Sequence, residues 1–166
     1  MLKIQVIGIK FMSVHLATRK IKKEWTDYNE HMNMAYYVLI FDEAWEIILN
    51  KFKMGGSNAQ ITKRSTMVVE TRTTYNNEVK ENDEVEVVLT HFDHDKKRLH
   101  LKCEMYEKKT NTLAATLESL SLYIDLNKRK VTEFEEDKLK IMDQFIDEHR
   151  KNFNSENLVL SDKLKK

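Results

Sequence analysis

From residue 34 onward, apolar side chains recur three and four positions apart: Val38, Phe41, Trp45, Ile48, Leu49 and Phe52. That spacing predicts one amphipathic helix over 34–52, with Asp42, Glu43 and Glu46 toward its other side. At about 1.5 Å per residue the helix reaches roughly 28 Å, enough to cross a small sheet. Lys53-Met54-Gly55-Gly56-Ser57-Asn58 ends it, with glycine available for a left-handed cap. Beyond this point the period changes to two. Residues 66–75, 84–92, 98–107 and 113–125 read as strands, separated by turns at Asn76-Asn77, 91–95 and 108–111. The clearest is 98–107, where Leu99, Leu101, Cys103 and Met105 face one way and Arg98, His100, Lys102, Glu104 and Tyr106 the other. Its second face is expected to meet water or a partner.

Weaker patterns complete the chain. Val14, Leu16, Thr18 and Ile21 suggest a first strand within 14–24, and 131–134 a short edge strand. Residues 135–152 return to helical spacing through Leu139, Met142, Phe145, Ile146 and His149 among dense charge, as a surface helix would. The stretch 154–166 is polar and basic and is expected to be frayed. Four or more antiparallel strands need an apolar cover, and the long helix is the natural one. The fold class is therefore α+β. Residues 1–12 read as an extension, 13–134 as the domain, and 135–166 as an added helix and tail.

Composition narrows the classes. A chain of 166 residues can bury one core, and 41% apolar with 33% charged residues excludes disorder. A net charge of +1 gives no general attraction to nucleic acid, and acids interleave with the basic residues. No apolar run approaches a membrane span, and Lys10 interrupts the start, so neither a membrane nor a signal peptide is expected. The single Cys103 permits no internal disulfide, sits on an apolar strand face as an inert thiol, and suits a reducing, cytoplasmic setting. Proline is absent and glycine occurs three times, so turns must be built from Asn, Asp and Lys.

The chemistry concentrates in Trp25-Thr26-Asp27-Tyr28-Asn29-Glu30-His31-Met32-Asn33, which runs into Met34-Ala35-Tyr36-Tyr37. This is a polar loop emptying into a helix N-terminus, where backbone N–H groups, a positive dipole end and acid/base side chains coincide. Polarising a carbonyl and attacking it needs that combination. The plainer reading is that Asn33 caps the helix while Asp27 and Asn29 make a turn.

The pattern Asp-x-Asn-x-His-Met-Asn followed by Tyr-Tyr resembles the active-site segment of hotdog-fold thioesterases of the 4-hydroxybenzoyl-CoA thioesterase type. A similar Asp-x-Asn-x-His occurs in acyl-carrier-protein thioesterases. A second block, from Lys97-Arg98-Leu99-His100-Leu101 to Leu113-Ala114-Ala115-Thr116, resembles the thioesterase domains of carnitine breakdown that act on betainyl-CoA. The resemblance implies a hotdog fold, an antiparallel sheet wrapped around the long helix, and hydrolysis of an acyl-CoA substrate without a cofactor. It places the catalytic carboxylate at Asp27, with Asn29 and His31 as polar partners, and departs from the pattern at Glu30, where glycine is common. A charged side chain there would crowd the acyl slot or alter the loop. Glu70 is a further candidate, as such a strand can face the loop across a dimer interface.

Trp25, Tyr28, Asn33, Tyr36 and Tyr37 are candidates for substrate contact, and aromatic faces attract quaternary ammonium groups. Lys96, Lys97 and Arg98 are candidates for the phosphates of coenzyme A. No metal site is read: His91, Asp93, His94 and Asp95 fall where a solvated hairpin turn is expected, without a cysteine beside them. Gly55-Gly56 lacks a phosphate loop's lysine, and no nucleophile-elbow serine occurs. On residues alone two alternatives stay open, a hotdog hydratase or dehydratase using His31 and a non-catalytic acyl-CoA-binding domain. An open sheet edge leads us to expect a homodimer or homotetramer.

Overall fold

The computed structural model describes residues 13–166, so the extension expected at 1–12 lies outside the described residues. In chain order the elements are β1 (Val14–Lys20), α1 (Met34–Lys51), α2 (Gly56–Thr62), β2 (Arg64–Tyr75), β3 (Glu84–His94), β4 (Arg98–Glu107), β5 (Thr112–Asp125), β6 (Lys130–Val131) and α3 (Glu136–His149). The strands form one antiparallel sheet in the order β1-β3-β4-β5-β2, with β6 beside β5. The sheet curls around α1, the architecture that the resemblance implies.

Helix α1 buries Tyr37, Ile40, Phe41, Ala44, Trp45, Ile48 and Leu49. Val38, expected on that stripe, points outward and is 40% exposed, because Tyr37 and Ile40 take the inward positions instead. Against the helix stand Leu99, Leu101, Cys103 and Met105 of β4 and Val85, Val87 and Leu89 of β3, all buried in one cluster with it. Burial pushes the Cys103 thiol pKa far up, which keeps it protonated and inert.

The turns follow the glycine-poor composition. Positive φ angles fall on Glu30, Lys53, Lys63, Asn82, Asn111, Arg129 and Asn157, and on no described glycine. The left-handed residue after α1 is therefore Lys53, not glycine. Gly55 is closely approached: a Cβ there would lie 2.0 Å from Asn50 Oδ1 and 2.9 Å from Glu46 Oε1, so those two side chains would have to shift to admit one. That close approach lets the Gly56 N–H donate to Glu46 Oε1 at 2.7 Å and start the short helix α2, which the sequence reading lacked.

Two further expectations change. Strand β3 continues through His94, so 91–95 is not a solvated loop; the turn is made at Asp95–Arg98. The Asp95 carboxylate, 7% exposed, accepts from the N–H groups of Lys97 and Arg98 and pairs with the Arg98 guanidinium at 2.9 Å. The segment beyond α3 is not frayed. It folds back over the outer sheet face, where Glu118 Oε1 accepts from the Leu160 N–H at 2.7 Å and Glu118 Oε2 from the Val159 N–H at 3.0 Å. Lys165 N–H donates to Asp95, Lys166 pairs with Asp93, and Lys163 with Glu70. This strap explains why His100, on the face expected to meet water, is fully buried, its Nε2 donating to Glu118 Oε1 at 2.8 Å. Helix α3 also joins the core, with Met142 and Phe145 buried and Phe145 edge-on to Phe52 at 5.2 Å.

Candidate active site

The loop from Trp25 to Asn33 is closed at its base by the Thr26–Met32 bridge and by the Asn33 N–H donating to Trp25 C=O at 2.9 Å. Within it the Asp27 N–H donates to His31 C=O, and the Glu30 N–H to Asp27 C=O at 2.9 Å. This turn puts Glu30 at φ 63°, a left-handed conformation that favours glycine. Glu30 itself is exposed.

Asp27 is the hub of the loop. Its Oδ1 accepts the Asn29 N–H at 2.8 Å, and its Oδ2 accepts Asn33 Nδ2 at 2.9 Å. The Asn29 N–H above all, then the Asn33 amide and the neighbouring His31, hold this carboxyl below its ordinary pKa, outweighing the small effect of burial. The carboxylate is ionised at neutral pH, and each oxygen keeps a lone pair for an incoming proton or carbon. Asn33 also caps α1, its Oδ1 accepting the Ala35 N–H at 3.1 Å, while its C=O accepts from Tyr36. The capping role and the carboxylate contact are therefore made by one residue. Met34 contributes the first N–H at the opening of the helix, beside these bonds.

His31 Nδ1 lies 3.1 Å from Met32 C=O. When Nδ1–H donates there, Nε2 is left as the acceptor. The ring lines a cleft of about 200 Å³ together with Met32, Met34, Tyr37, Tyr75, Asn76, Asn77 and Glu78. Sequence reasoning missed the last four residues, which it took for the end of a strand and a turn. No spacing rule could find them, since Met32 N–H to Val79 C=O, 2.8 Å, joins positions far apart in the chain.

The structure gathers Asp27, Asn29, His31 and Asn33, and separates other candidates from them. Trp25 is buried, stacks on Tyr36 with centroids 5.7 Å apart, and has the Lys22 ammonium 4.9 Å from its centroid. Its faces are already occupied. Tyr28 stands 93% exposed, and Tyr37 is buried with its hydroxyl accepting the Val79 N–H at 3.3 Å. Glu70 lies on the edge strand β2 in an ion pair with Lys163 of the strap. The Ile21 N–H bond to Asp83 C=O puts the active loop near the start of β3, whereas Lys96 and Lys97 follow its end. The 11 residues of β3 lie between those two ends within one protomer. Lys97 and Arg98 are also paired already, with Glu133 and Asp95. A larger cleft of about 720 Å³, lined by His91, Asp93, His94 and Asp143 among others, lies between the end of β3 and α3, remote from Asp27. Among the described residues no group of three or more His, Cys, Asp or Glu is placed to hold a metal.

Residues 21–151, spanning the loop, α1, strands β2 to β6 and α3, match the thioesterase-like superfamily. The chain belongs to that family. It is a thioester hydrolase by membership, of the acyl-CoA thioesterase type. It is 29% identical over 127 residues to a betainyl-CoA thioesterase of Pseudomonas aeruginosa, covering 76% of this chain and 80% of that protein. A second relative, the L-carnitine dehydrogenase/betainyl-CoA thioesterase of Rhizobium meliloti, is 24% identical over 68% of this chain but only 22% of its own length. Among solved structures, a protein of Staphylococcus aureus in complex with CoA superposes with a TM-score of 0.76 at 25% identity, covering 89% of this chain and 91% of that one. A 1,4-dihydroxy-2-naphthoyl-CoA thioesterase from Synechocystis shares the fold, with a TM-score of 0.68 at 16% identity over 76% of this chain and 93% of its own. Among the described residues no helix is long and apolar enough to cross a membrane.

Proposed function

We propose that this thioesterase hydrolyses a small, polar acyl-CoA, with betainyl-CoA as the leading substrate. The observation that carries the reading is an ionised Asp27 held by Asn33 at the start of α1, with His31 of the same loop lining a cleft of only about 200 Å³. Ligand pockets for drug-sized molecules run to roughly 300–1,000 Å³, so this one suits an acyl group of few atoms. The betainyl-CoA thioesterase relative points the same way. Asp27 either attacks the thioester carbonyl through a carboxylate oxygen or takes the proton of a water whose oxygen attacks it. The carbonyl oxygen takes its charge toward the Met34 N–H and the positive end of α1. Asn33 and the Asn29 N–H orient the carboxylate, and His31 lies on the cleft wall. The leaving thiolate has an ordinary pKa near 8.5 by analogy with cysteine, so no strong general acid is needed.

The reading is tested by thiol release from a panel of acyl-CoAs, with enoyl-CoA hydration as companion. Asp27→Asn keeps size but loses nucleophile and base, and should cut kcat at least about 100-fold while the fold, checked by circular dichroism, is kept. Near-wild-type turnover would show that this loop is not catalytic. No turnover of any acyl-CoA by the parent protein would favour a binding role; hydration without hydrolysis would favour a hydratase. We also place the working form as a dimer in a reducing cytoplasm. Among the described residues one side of β2 has no strand partner, and Met67, Val68 and Val69 stand exposed on that strand, an edge that a second copy would cover.

A further inference from the structure

We infer that Tyr75 and Glu78, with Tyr37 behind them, form the subsite that receives the cationic end of the acyl group, a quaternary ammonium. The inference deepens the proposed function and rests on it for the identity of the acyl group. The aromatic residues expected to hold such a group, Trp25 and Tyr36, are stacked on each other, and Trp25 carries Lys22 near its ring. The aromatic wall of the cleft itself differs. Tyr75 is 46% exposed yet fixed in place, its hydroxyl donating to Met34 C=O at 3.4 Å and its ring perpendicular to Tyr37 at 5.3 Å. Glu78 lines the same cleft and carries the only formal negative charge among its lining residues. It raises the Tyr37 hydroxyl pKa, though burial does most of that. Its carboxylate pairs with Lys80 at 3.5 Å, exposed on both sides, a contact that a substrate cation can displace at small cost.

The placement fits the reaction. His31 belongs to both the Asp27 loop and the cleft wall, and Met34, the first residue of α1, lines the same cleft. A thioester carbonyl at the start of α1 would direct a short acyl chain along His31 toward Tyr75. A methylated ammonium cannot donate hydrogen bonds, so aromatic faces and a carboxylate without a tight partner are what can recognise it. A carboxylate at this rim also disfavours acyl groups ending in a negative charge.

Two measurements test it. In the first, kcat/KM is compared for betainyl-CoA and its neutral isostere, 3,3-dimethylbutanoyl-CoA. Glu78→Gln and Tyr75→Leu should each lower the betainyl-to-neutral ratio at least threefold, whereas Tyr75→Phe, which keeps the ring, should retain it. A purely structural role would lower both rates together, and an unchanged ratio in Glu78→Gln overturns the assignment to the acyl end. In the second, tetramethylammonium is titrated and followed by NMR shifts of the Tyr75 ring, with Kd expected to rise at least threefold in Glu78→Gln. No Tyr75 shift, or the same Kd in the variant, overturns the cation site. A parent protein that does not prefer betainyl-CoA but still shifts at Tyr75 would sink the substrate reading and leave the cation site standing.

Discussion

Replacing Glu118 by alanine should release the C-terminal strap and lower stability substantially. The carboxylate is 3% exposed and accepts from the Val159 and Leu160 N–H groups and from His100 Nε2, at 2.7–3.0 Å. Hydrogen bonds to a charged group contribute about 1.5–3 kcal/mol each. The sum overstates the loss, because the freed strap can peel away and let water reach its two N–H groups. His100 is different: it is fully buried in the sheet and cannot follow. Removing one member of a buried pair costs about 3–5 kcal/mol, so we expect roughly 3–4 kcal/mol. For a domain of this size each kcal/mol moves Tm by about 2–4 °C, which predicts a fall of about 6–16 °C. Glu118→Gln, which keeps the shape and an acceptor, should lose about half as much. Differential scanning calorimetry gives the Tm, and amide exchange at Val159 and Leu160 reports the strap directly. A Tm within 2 °C of the parent, with those amides still slow, would refute the reasoning. The pH dependence has a definite sign. Burial raises the Glu118 pKa, but the Leu160 N–H, His100 and the Val159 N–H together hold it below its ordinary 4.5. A depressed carboxylate stabilises fully above the unfolded value and progressively less as pH falls through the folded one.

His91 adds a second acid-sensitive element: burial first, then the neighbouring His100, lowers its pKa from 6.5 to about 4. Between those values only the unfolded chain takes up the proton, so Tm should drop from pH 7 to pH 5 and drop less in His91→Gln; an NMR titration of His91 centred near 6.5 would contradict this. The exposed β2 edge should give a dimer of 19.8 kDa protomers at micromolar concentration, and Val68→Lys, at 55% exposure, should shift it toward monomer. Light scattering that finds the parent strictly monomeric would remove the dimer and any site shared between subunits.

Local pattern was enough for much of this. The stripe from Phe41 to Phe52 specifies α1, and the alternation through Leu99, Leu101, Cys103 and Met105 specifies β4 and its buried face, because side-chain period alone decides which face turns apolar. The loop 27–33 was legible too, since Asp27, Asn29, His31 and Asn33 interact within seven residues of chain. The scarcity of glycine announced turns of Asn and Lys, and Lys53, Asn82 and Asn111 make them.

What depended on tertiary structure is whatever joins distant segments. The strap reads as a polar tail, and only the approach of Glu118, 41 and 42 positions earlier, gives Val159 and Leu160 their partner. For the same reason His91 and His94 looked like turn residues until α3, bringing Asp143 to 2.8 Å from His94 Nε2, covered the end of β3. Tyr75 and Glu78 entered the cleft through a backbone bond between Met32 and Val79, and Lys96 to Arg98 follow the far end of the 11-residue β3. Periodicity records which side of an element is apolar; it carries no record of which polar group from elsewhere will meet the other side.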